Sequence, residues 1–473
     1  MSFVRIKKFA DREYAYEITT VWNKASKTYK QKQRYLGVIT DHEKKAYARK
    51  RFQAAPEKLV LDFGDSYVIN SYLKEIGFMK LIEGVFEHDA DFVQAMVLYR
   101  LCYPSAMRHA EEWLAGSYAR LLYPKASLKS QRISESLASV GGESLLRDFF
   151  QAYFKTYSLT GQGLVIDGSS LPNQIHIPLS QWGRSGEEID VQIRFLLAVD
   201  KKTGEPLFFR YVPGSVVDVS TLVTTLAELK QLGVRENYVF FDAGFVSEDN
   251  VNALYAEHID FLTRLPRGRI LYTELVSEHC NGLEARAYAV NYGKRGLFVK
   301  KVPVTFYGHS AFAYVVLDPE RKGRETKRLL VNLADEAKAI GQRFDDELRD
   351  RGVMVLVSSF DLPTSEVVPA YYIRQTAEKM FGFSKDDLRL LPLRVHSEST
   401  LRGFLLIQFL ALIAFVKLKN GLGKKHSVEE LVLAMRNLKC KVYEKEVVVL
   451  ELSKHQKLLA EKLKVTVPIT AGI

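Results

Sequence analysis

The stretch GQGLVIDGSS, residues 161–170, is a short apolar run that ends in Asp167. VQIRFLLAVD and PLFFRYVP follow it, joined by the turn KKTGE, and together they predict a β-hairpin. DVSTLVTTLAELKQLG then predicts an amphipathic helix with Asp218 as its N-cap and Gly233 as its stop. NYVFFDAGF predicts a second buried strand, which ends in Asp242. Apolar strands that end in an aspartate are therefore the main feature of this part of the chain.

The order of the predicted elements decides the fold class. SEDNVNALYAEH predicts a helix capped by Ser247, and IDFLTRL predicts a further strand. The order is strand, strand, strand, helix, strand, helix, strand, which predicts a mixed α/β sheet with helices packed on it. Residues 266–350 interrupt this order with the strand-like pieces RAYAVNY, GLFVKKVPVTFYG, FAYVVLD and RLLVNLA and with a charged helix, DEAKAIGQRFDDELRDRG. VMVLVSS then returns as a strand.

Length and composition narrow the class of protein. The chain has 473 residues, enough for several domains, and its 47% hydrophobic and 26% charged residues are typical of a soluble globular protein. Its three cysteines are far apart in the sequence, so we expect a reduced, intracellular protein without structural disulfides. The N-terminus MSFVRIKKFADREY has no apolar signal core. The apolar run FLLIQFLALIAFV, residues 404–416, predicts a buried helix rather than a membrane span.

The positive charge is concentrated at the N-terminal end. The net charge is +11, and residues 1–60 hold 15 Lys/Arg and 6 Asp/Glu, which gives 15 − 6 = +9. Such a density indicates a polyanionic partner. Residues 1–40 alternate as a twisted β-hairpin, with Tyr29, Arg34 and Tyr35 among lysines. This pattern fits a surface that follows a nucleic-acid backbone, or equally a cross-strand aromatic ladder whose lysines shield an edge strand.

Residues 66–155 predict a set of helices. The breaks are expected at glycines and prolines, namely Gly77, Pro104, Gly116 and Pro124. LKSQRISESLASVG, residues 128–141, has a basic start and a helical pattern. It fits half of a helix-turn-helix motif, although a plain packing helix is the favoured interpretation.

Three carboxylates are expected to converge. In YYIRQTAEKMFGFSK, residues 371–385, a single continuous helix starting near Pro369 would place Tyr371, Arg374 and Glu378 within about 60° of one another. Glu378 would then approach the strand ends that carry the two aspartates. Three such carboxylates suit two Mg²⁺ ions, with Mn²⁺ as a substitute. Taken alone, an aspartate that follows a strand is usually a turn former or a helix cap.

The same residues resemble a known family. The run Tyr371-x-x-Arg374-x-x-x-Glu378-x-x-x-x-x-x-Lys385 resembles the YREK signature of DDE transposases from bacterial insertion sequences. Asp167 and Asp242 resemble the two aspartates of that family, and GSVVD, residues 214–218, stands where the family often has a Gly-Asn-x-x-Asp-like turn. The resemblance implies an RNase H-like catalytic core with a β-rich insertion between the second aspartate and the glutamate.

The resemblance also implies a role for each site residue. The three carboxylates would be catalytic and would bind metal; they are Asp167, Asp242 and Glu378. Three further side chains would hold DNA phosphates, namely Tyr371, Arg374 and Lys385. Arginine offers phosphate a planar fork and lysine a point charge. Because Gly382 is expected to end the helix and Ser384 to cap a new one, we expect Lys385 to reach the site from a second segment.

Further candidates lie nearby in the sequence. Trp182 and Arg184, in the loop SQWGRSG, are candidate DNA-binding residues, although Trp182 fits a core position equally well. His396 and Arg402 follow the signature and are expected to line the same groove.

Six segments are expected along the chain. They are a basic N-terminal β module that binds DNA (1–60), a helical DNA-binding module (61–158), the first part of an RNase H-like core (159–265), a β-rich insertion (266–350), the second part of the core with the Glu378 helix (351–420), and a helical tail suited to oligomerisation (421–473).

The function predicted by the resemblance is DNA transposition. The enzyme would hydrolyse phosphodiesters and transfer strands at the ends of an insertion sequence, by cut-and-paste. Its partners would be double-stranded DNA with terminal inverted repeats, target DNA and a second copy of the chain, with no membrane. We expect it in the cytoplasm of a bacterium or archaeon, on the nucleoid when bound. The alternatives are a structure-selective RNase H-like nuclease or resolvase, and a captured transposase that only binds DNA.

Overall fold

The computed structural model describes residues 2–9, 12–23, 28–41, 46–48, 59–157, 163–173, 175–185, 188–216, 218–234, 237–335, 348–444 and 446–472. The chain divides into two compact units. One unit comprises residues 1–61, 439–450 and 468–473, and the other comprises residues 62–438 and 451–467. The predicted catalytic segments all lie in the second unit.

The described strands are β1 (Ser2–Phe9), β2 (Arg12–Asn23), β3 (Thr28–Asp41), β4 (Ala46–Ala48), β5 (Leu59–Asp62), β6 (Leu164–Pro172), β7 (Gln181–Ser185), β8 (Glu188–Asp200), β9 (Pro206–Pro213), β10 (Tyr238–Phe241), β11 (Asp260–Arg264), β12 (Ala289–Tyr292), β13 (Arg295–Phe306), β14 (His309–Leu317), β15 (Val353–Ser358), β16 (Lys439–Val442), β17 (Glu446–Val449) and β18 (Thr470–Gly472).

The described α-helices are α1 (Gly64–Glu75), α2 (Phe78–Phe86), α3 (Ala90–Cys102), α4 (Ala110–Gly116), α5 (Ala119–Leu122), α6 (Ser130–Val140), α7 (Glu143–Thr156), α8 (Leu222–Gln231), α9 (Glu248–Ala256), α10 (Ile270–His279), α11 (Pro319–Asp335), α12 (Thr364–Tyr372), α13 (Gln375–Gly382), α14 (Glu398–Leu422), α15 (Val428–Arg436) and α16 (Lys454–Lys462).

A mixed sheet forms the centre of the second unit. Its order is β12-β13-β14-β15-β11-β10-β6-β8-β7, with β9 paired to β8. β8 and β9 run antiparallel to their neighbours, whereas β10 is parallel to both β6 and β11. The predicted α/β class, a mixed sheet with flanking helices, is confirmed. The strands of residues 266–350 extend this same sheet through β15, which pairs antiparallel with β11 and β14.

Burial explains why the central strands carry little polarity. Val165, Ile166, Val239 and Phe241 are each fully buried, so the strands that hold the aspartates are covered on both faces. Parallel strands in this position are typically near-continuous apolar runs, because helices cover the two sides of the sheet. Polar side chains are therefore best tolerated where the parallel pairing of β6 with β10 ends, and the site is built there.

The apolar helix α14 lies inside the protein. Among the described residues it is the one helix long and apolar enough to cross a membrane, but 94% of its most apolar window is buried in the fold. Its start is fixed by Ser397, whose side chain accepts a hydrogen bond from the backbone N–H of Thr400 in a capping box. The run at residues 404–416 is thus a core helix, as its length predicted.

α6 crosses α14 at very short range. A Cβ atom on Gly403 would lie 1.9 Å from the backbone oxygen of Leu137, and one on Gly141 would lie 2.0 Å from that of Ser399. Only glycine allows two backbones to approach so closely. α6 buries Ile133 together with Leu137 against this contact, so it is a packing helix, the favoured of the two interpretations of residues 128–141.

Several local predictions differ from the structure. RLLVNLA, predicted as a strand, is the end of α11, and most of the charged helix predicted after it lies outside the described residues. α8 begins at Leu222, because Asp218 opens a 3₁₀ turn rather than capping the helix. The proline that starts the Glu378 segment is Pro363, at the N-cap of α12, and not Pro369, which lies inside it. The C-terminal segment, predicted as helical, also contributes β16, β17 and β18.

The N-terminal residues form an antiparallel sheet in the order β1-β2-β3-β4. Aromatic rings pair across it, with Tyr16 and Tyr35 centroids 5.5 Å apart and those of Trp22 and Tyr29 4.7 Å apart. The cross-strand aromatic ladder therefore exists. The basic side chains of β3 are exposed beside it, where a polyanion can reach them.

The helix crossing makes a prediction about stability. We expect Gly403→Ala to lower the thermal midpoint, with a loss of about 2 kcal/mol from forcing a methyl group against the Leu137 backbone. Gly84→Ala is the control, because a Cβ atom at that exposed position of α2 meets nothing within 4 Å. Alanine there should be neutral or stabilising. Equal midpoints for both variants in thermal melts would contradict the close crossing.

Candidate active site

Strand register brings the two aspartates together. Ile166 of β6 pairs in parallel with Phe241 of β10. Asp167 and Asp242 each follow one of these paired residues, so they occupy equivalent positions on neighbouring strands. Asp167 is only 8% exposed, whereas the side chain of Asp242 is more open to solvent. The parallel pairing of β6 with β10 ends just before these two residues, so it presents two carboxylates side by side. The predicted strand end at Asp167 is wrong, because β6 continues past it to Pro172, paired with β8.

The Glu378 segment is broken rather than continuous. α12 ends at Tyr372 and α13 begins at Gln375, with Arg374 as the N-cap of α13. The expected single helix is therefore wrong. Pro369 does not mark the break: it lies inside α12, and its missing N–H affects the turn before it, whereas the break comes at Ile373 and Arg374. Nevertheless, Tyr371, Arg374 and Glu378 all belong to one cluster with the aspartates, because the break turns the arginine toward the strand ends.

Arg374 binds all three carboxylates. Its Nη1 lies 3.2 Å from Oδ2 of Asp167 and 3.8 Å from Oδ2 of Asp242. Its Nη2 lies 2.7 Å from Oε1 of Glu378. Tyr371 adds a hydrogen bond from its hydroxyl to Oδ1 of Asp242, at 3.2 Å. One guanidinium is therefore the common partner of the predicted catalytic residues.

The ionised form of Asp167 is electrostatically disfavoured in this cluster. Burial raises the pKa of Asp167 to about 7, and the attraction of Arg374 offsets only part of that rise. Burial, with the charge of Asp242, likewise raises the pKa of Tyr371 to about 12, so its hydroxyl stays protonated and can donate. A buried carboxylate that is disfavoured as an anion is stabilised by a nearby cation, so the site favours positive charge.

Lys385 reaches the site by a different path from the one expected. Ser384 does not cap a new α-helix; instead a π-helical turn, Phe383–Asp387, continues from α13. The Nζ of Lys385 donates to Oγ of Ser169 at 2.7 Å and contacts the backbone oxygen of Ser170 at 3.3 Å. Its ammonium therefore lies beside the strand that carries Asp167. Burial lowers the pKa of Lys385.

Sequence reasoning missed two features of this site. Ser169, in the quoted VIDGSS, is the anchor for Lys385, and the hydroxyl of Ser170 accepts a hydrogen bond from Nη1 of Arg194 at 2.9 Å. Arg264 ends β11, one residue past the pairing of Thr263 with Phe241, so it occupies the position next to Asp242 on the third parallel strand. The strand IDFLTRL carried that signal, since it ends in this arginine.

The remaining candidates lie elsewhere. Trp182 is 68% exposed on β7, opposite Val191, so it is not wedged into a core. Arg184 belongs to the same strand, and its side chain lies outside the described residues. Arg402 donates to the hydroxyl of Tyr211 at 2.6 Å and is engaged by acidic side chains, so it stabilises α14 rather than lining the carboxylate site.

The donor set suits a hard divalent cation. Across the described part of the chain no three metal-ligating side chains form a ready-made cluster, because the guanidinium of Arg374 lies among the three carboxylates. All the available donors are carboxylate oxygens, which Mg²⁺ and Mn²⁺ prefer. Arg374 supplies the positive charge that these carboxylates require, and a divalent metal would supply the same charge, so the residues present fit such a metal.

The comparisons with known proteins identify the family of the chain. The family model described as "Transposase DDE domain" matches residues 159–414, more than half of the chain. The fold and site thus define a DDE-type transposition enzyme, and the chain belongs to the DDE transposase family. It is a DNA transposase, as the YREK run indicated. No curated protein matches its sequence.

Among solved structures, the cryo-EM structure of a piggyBac transposase synaptic complex with hairpin DNA is similar. The identity is 12% and the TM-score 0.42, over 73% of this chain and 70% of that chain.

The shared role of Arg374 can be tested without DNA. In chelator, Arg374→Gln should destabilise the protein by on the order of 3 kcal/mol, because three carboxylates lose their common cation. Adding Mg²⁺ should then raise the thermal midpoint more in this variant than in the wild type, since metal no longer competes with the guanidinium.

Arg402→Gln is the matched control, as it removes another largely buried arginine that is bound to carboxylates. Its midpoint should fall, and its response to Mg²⁺ should equal that of the wild type. If Mg²⁺ raises the thermal midpoint equally in both variants, Arg374 does not occupy the metal site.

Proposed function

We propose that this transposase cuts DNA at the ends of an insertion sequence and joins the freed strand to target DNA. The proposal is carried by one observation: a single guanidinium bridges Asp167, Asp242 and Glu378 at the point where the parallel pairing of β6 with β10 ends. Three carboxylates held together by one cation are the residues expected to hold divalent metal. Two Mg²⁺ ions, or Mn²⁺ in their place, would supply an activated water or 3′-hydroxyl and would stabilise the leaving oxygen.

The chain's own residues would position the DNA. Arg374 neutralises the carboxylates in the free protein, and its planar fork is suited to grip a phosphate once other cations hold them. Lys385 offers a point charge beside Ser169, one residue beyond the Gly168 that follows Asp167. Tyr371, kept protonated, donates to Asp242 and fixes the orientation of that carboxylate. Arg374 and Lys385 would act on the phosphodiester directly, and Tyr371 would act on it through Asp242.

The DNA partners we propose are terminal inverted repeats and a target site, bound by a homodimer. Support comes from the charge of +9 within residues 1–60 and from the exposed lysine and arginine side chains of β3. The helical module of residues 61–158 would add DNA contacts, together with the exposed Trp182 and with Arg184, both on β7. Residues 421–473 would serve in oligomerisation. We place the protein in the cytoplasm of a bacterium or archaeon, on the nucleoid when bound.

The carboxylates provide the direct test. Asp167→Asn, Asp242→Asn and Glu378→Gln should each abolish Mg²⁺- or Mn²⁺-dependent cleavage of end DNA, because each removes a metal ligand. DNA binding, measured by fluorescence anisotropy in chelator, should stay within a few fold of the wild type. A variant that still cleaves at a near-normal rate would remove its residue from the site.

Removing the Tyr371 hydroxyl gives a test that distinguishes a transposase from a plain nuclease. Tyr371→Phe should cause a milder loss than Glu378→Gln, since only one hydroxyl is removed. Quantified nicked, hairpin and joined products should show strand processing impaired while the first nick persists. Wild-type product ratios would favour the rival interpretation as a structure-selective nuclease. Binding without any cleavage by the wild-type protein would favour a captured DNA-binding transposase.

The basic N-terminal sheet makes a salt-dependence prediction. Lys30→Gln with Lys32→Gln removes two exposed charges from one face of β3. The slope of log K against log salt should then fall by about 0.9 for each DNA phosphate that the variant no longer neutralises. Lys424→Gln with Lys425→Gln, also exposed, is the matched control. An equal change in both pairs, from binding titrations between low and high salt, would mean that the charge on β3 acts only in bulk.

A further inference from the structure

A basic pocket lies away from the carboxylate cluster. It has a volume of about 650 Å³ and is walled by the end of α3 with the loop after it, the start of α6, and the chain that follows the π-helical turn. Four arginines and a histidine are among its lining residues: Arg100, Arg108, Arg389, Arg394 and His396. No aspartate or glutamate is among its described lining residues.

One charge in this pocket is buried without an anionic partner. Arg100 is only 2% exposed, and its Nη1 donates to the backbone oxygen of Ser105 at 2.8 Å. Its Nε is buried and has no hydrogen-bond partner among the described residues. The guanidinium packs 5.4 Å from the ring centroid of Phe404. Burial lowers the pKa of Arg100 to about 10, so the arginine stays charged at neutral pH. A buried charge with an unused donor lacks its natural counter-charge, which an anion would supply.

The other walls also favour an anion. Arg389 and Arg394 are exposed, and the described residues offer neither of them an ion-pair partner. The eleven-residue helix α6 begins at Ser130 in the pocket wall. Its N-cap, Lys129, makes no side-chain cap, and its first turn holds no acidic residue. The free N–H groups and the positive end of the helix dipole therefore point to the same ligand charge as the arginines.

We propose that this pocket binds backbone phosphate of the DNA substrate, at a site separate from the catalytic carboxylates. The proposal rests on the proposed function for the identity of the polyanion, whereas the phosphate chemistry follows from the pocket itself. The planar guanidinium of arginine can bind both free oxygens of a phosphodiester at once, whereas a lysine ammonium acts as a point charge. Two exposed arginines at the mouth would meet the strand first, with Arg100 and the start of α6 behind them.

Chain connectivity supports DNA as the occupant. Lys385, which contacts Ser169 beside Asp167, is followed by the buried Leu388 and Leu390. The same short segment then supplies Arg389 and Arg394 to the pocket. One stretch of chain thus carries cations both to the carboxylates and to the pocket. A strand lying across the catalytic site would find its next basic contacts along this segment.

The test compares two pairs of arginines in the full chain. Arg389→Asn with Arg394→Asn removes the exposed pocket charges; both residues have a left-handed backbone, with φ of 52° and 46°, which asparagine tolerates well. Affinity for a duplex of end DNA should fall roughly tenfold or more, and the salt slope should fall by about 1 to 2. Arg286→Asn with Arg324→Asn, exposed elsewhere, should leave both unchanged. Circular dichroism and thermal melts confirm that the variants fold.

The possible outcomes separate this proposal from the proposed function. An unchanged salt slope in the pocket variant, or an equal loss in the control pair, overturns the phosphate site. In a second arm, inorganic phosphate is compared with chloride at equal ionic strength. If phosphate stabilises the wild type but not the pocket variant, while DNA binding is the same, the occupant is a small phosphate and the DNA assignment is wrong. If the wild type fails to cleave while the pocket variant still shows a reduced slope, the proposed function fails and the pocket stands.

Discussion

The ion cluster around Arg374 is the constraint on which the rest of the catalytic unit depends. Two carboxylates just past the parallel pairing of neighbouring strands repel each other, and one of them is buried where water cannot screen it. Without a cation, the parallel pairing of β6 with β10 would bring these charges together at a large cost. The broken helix pair α12–α13 supplies that cation together with a third carboxylate. The strand register, the helix break and the position of Arg374 together place a cation where the carboxylates would otherwise repel one another.

Much of this arrangement could be predicted from sequence because it follows from short-range patterns. Asp167 and Asp242 each follow a buried apolar run, and strand ends in a mixed sheet meet at a crevice. The order of strands and helices was readable because each element carries its own period. The YREK spacing added Arg374 and Glu378, whose joint contact with the aspartates depends on fixed positions in one segment.

Other features depended on tertiary contacts that no local pattern encodes. The break at Ile373–Arg374 lies in a stretch with good helical periodicity, so the periodicity of the sequence does not show where α12 ends. RLLVNLA is apolar and β-branched in part, so it resembles a strand, yet it continues the helix that Pro319 begins. The basic pocket combines side chains from segments almost 300 residues apart, which sequence spacing cannot reveal.

The insertion between Asp242 and Glu378 has a consequence for biosynthesis. The contact between Arg374 and Asp167 joins residues 207 positions apart. Both aspartates therefore leave the ribosome long before the cation that holds them, and the strands of the insertion must be added to the sheet in the interval. A chain that stops early would carry the basic N-terminal sheet and the helical module but no complete carboxylate set. Because its two aspartates would lack that cation, the sheet edge where the pairing of β6 with β10 ends would stay unstable until Arg374 has been made.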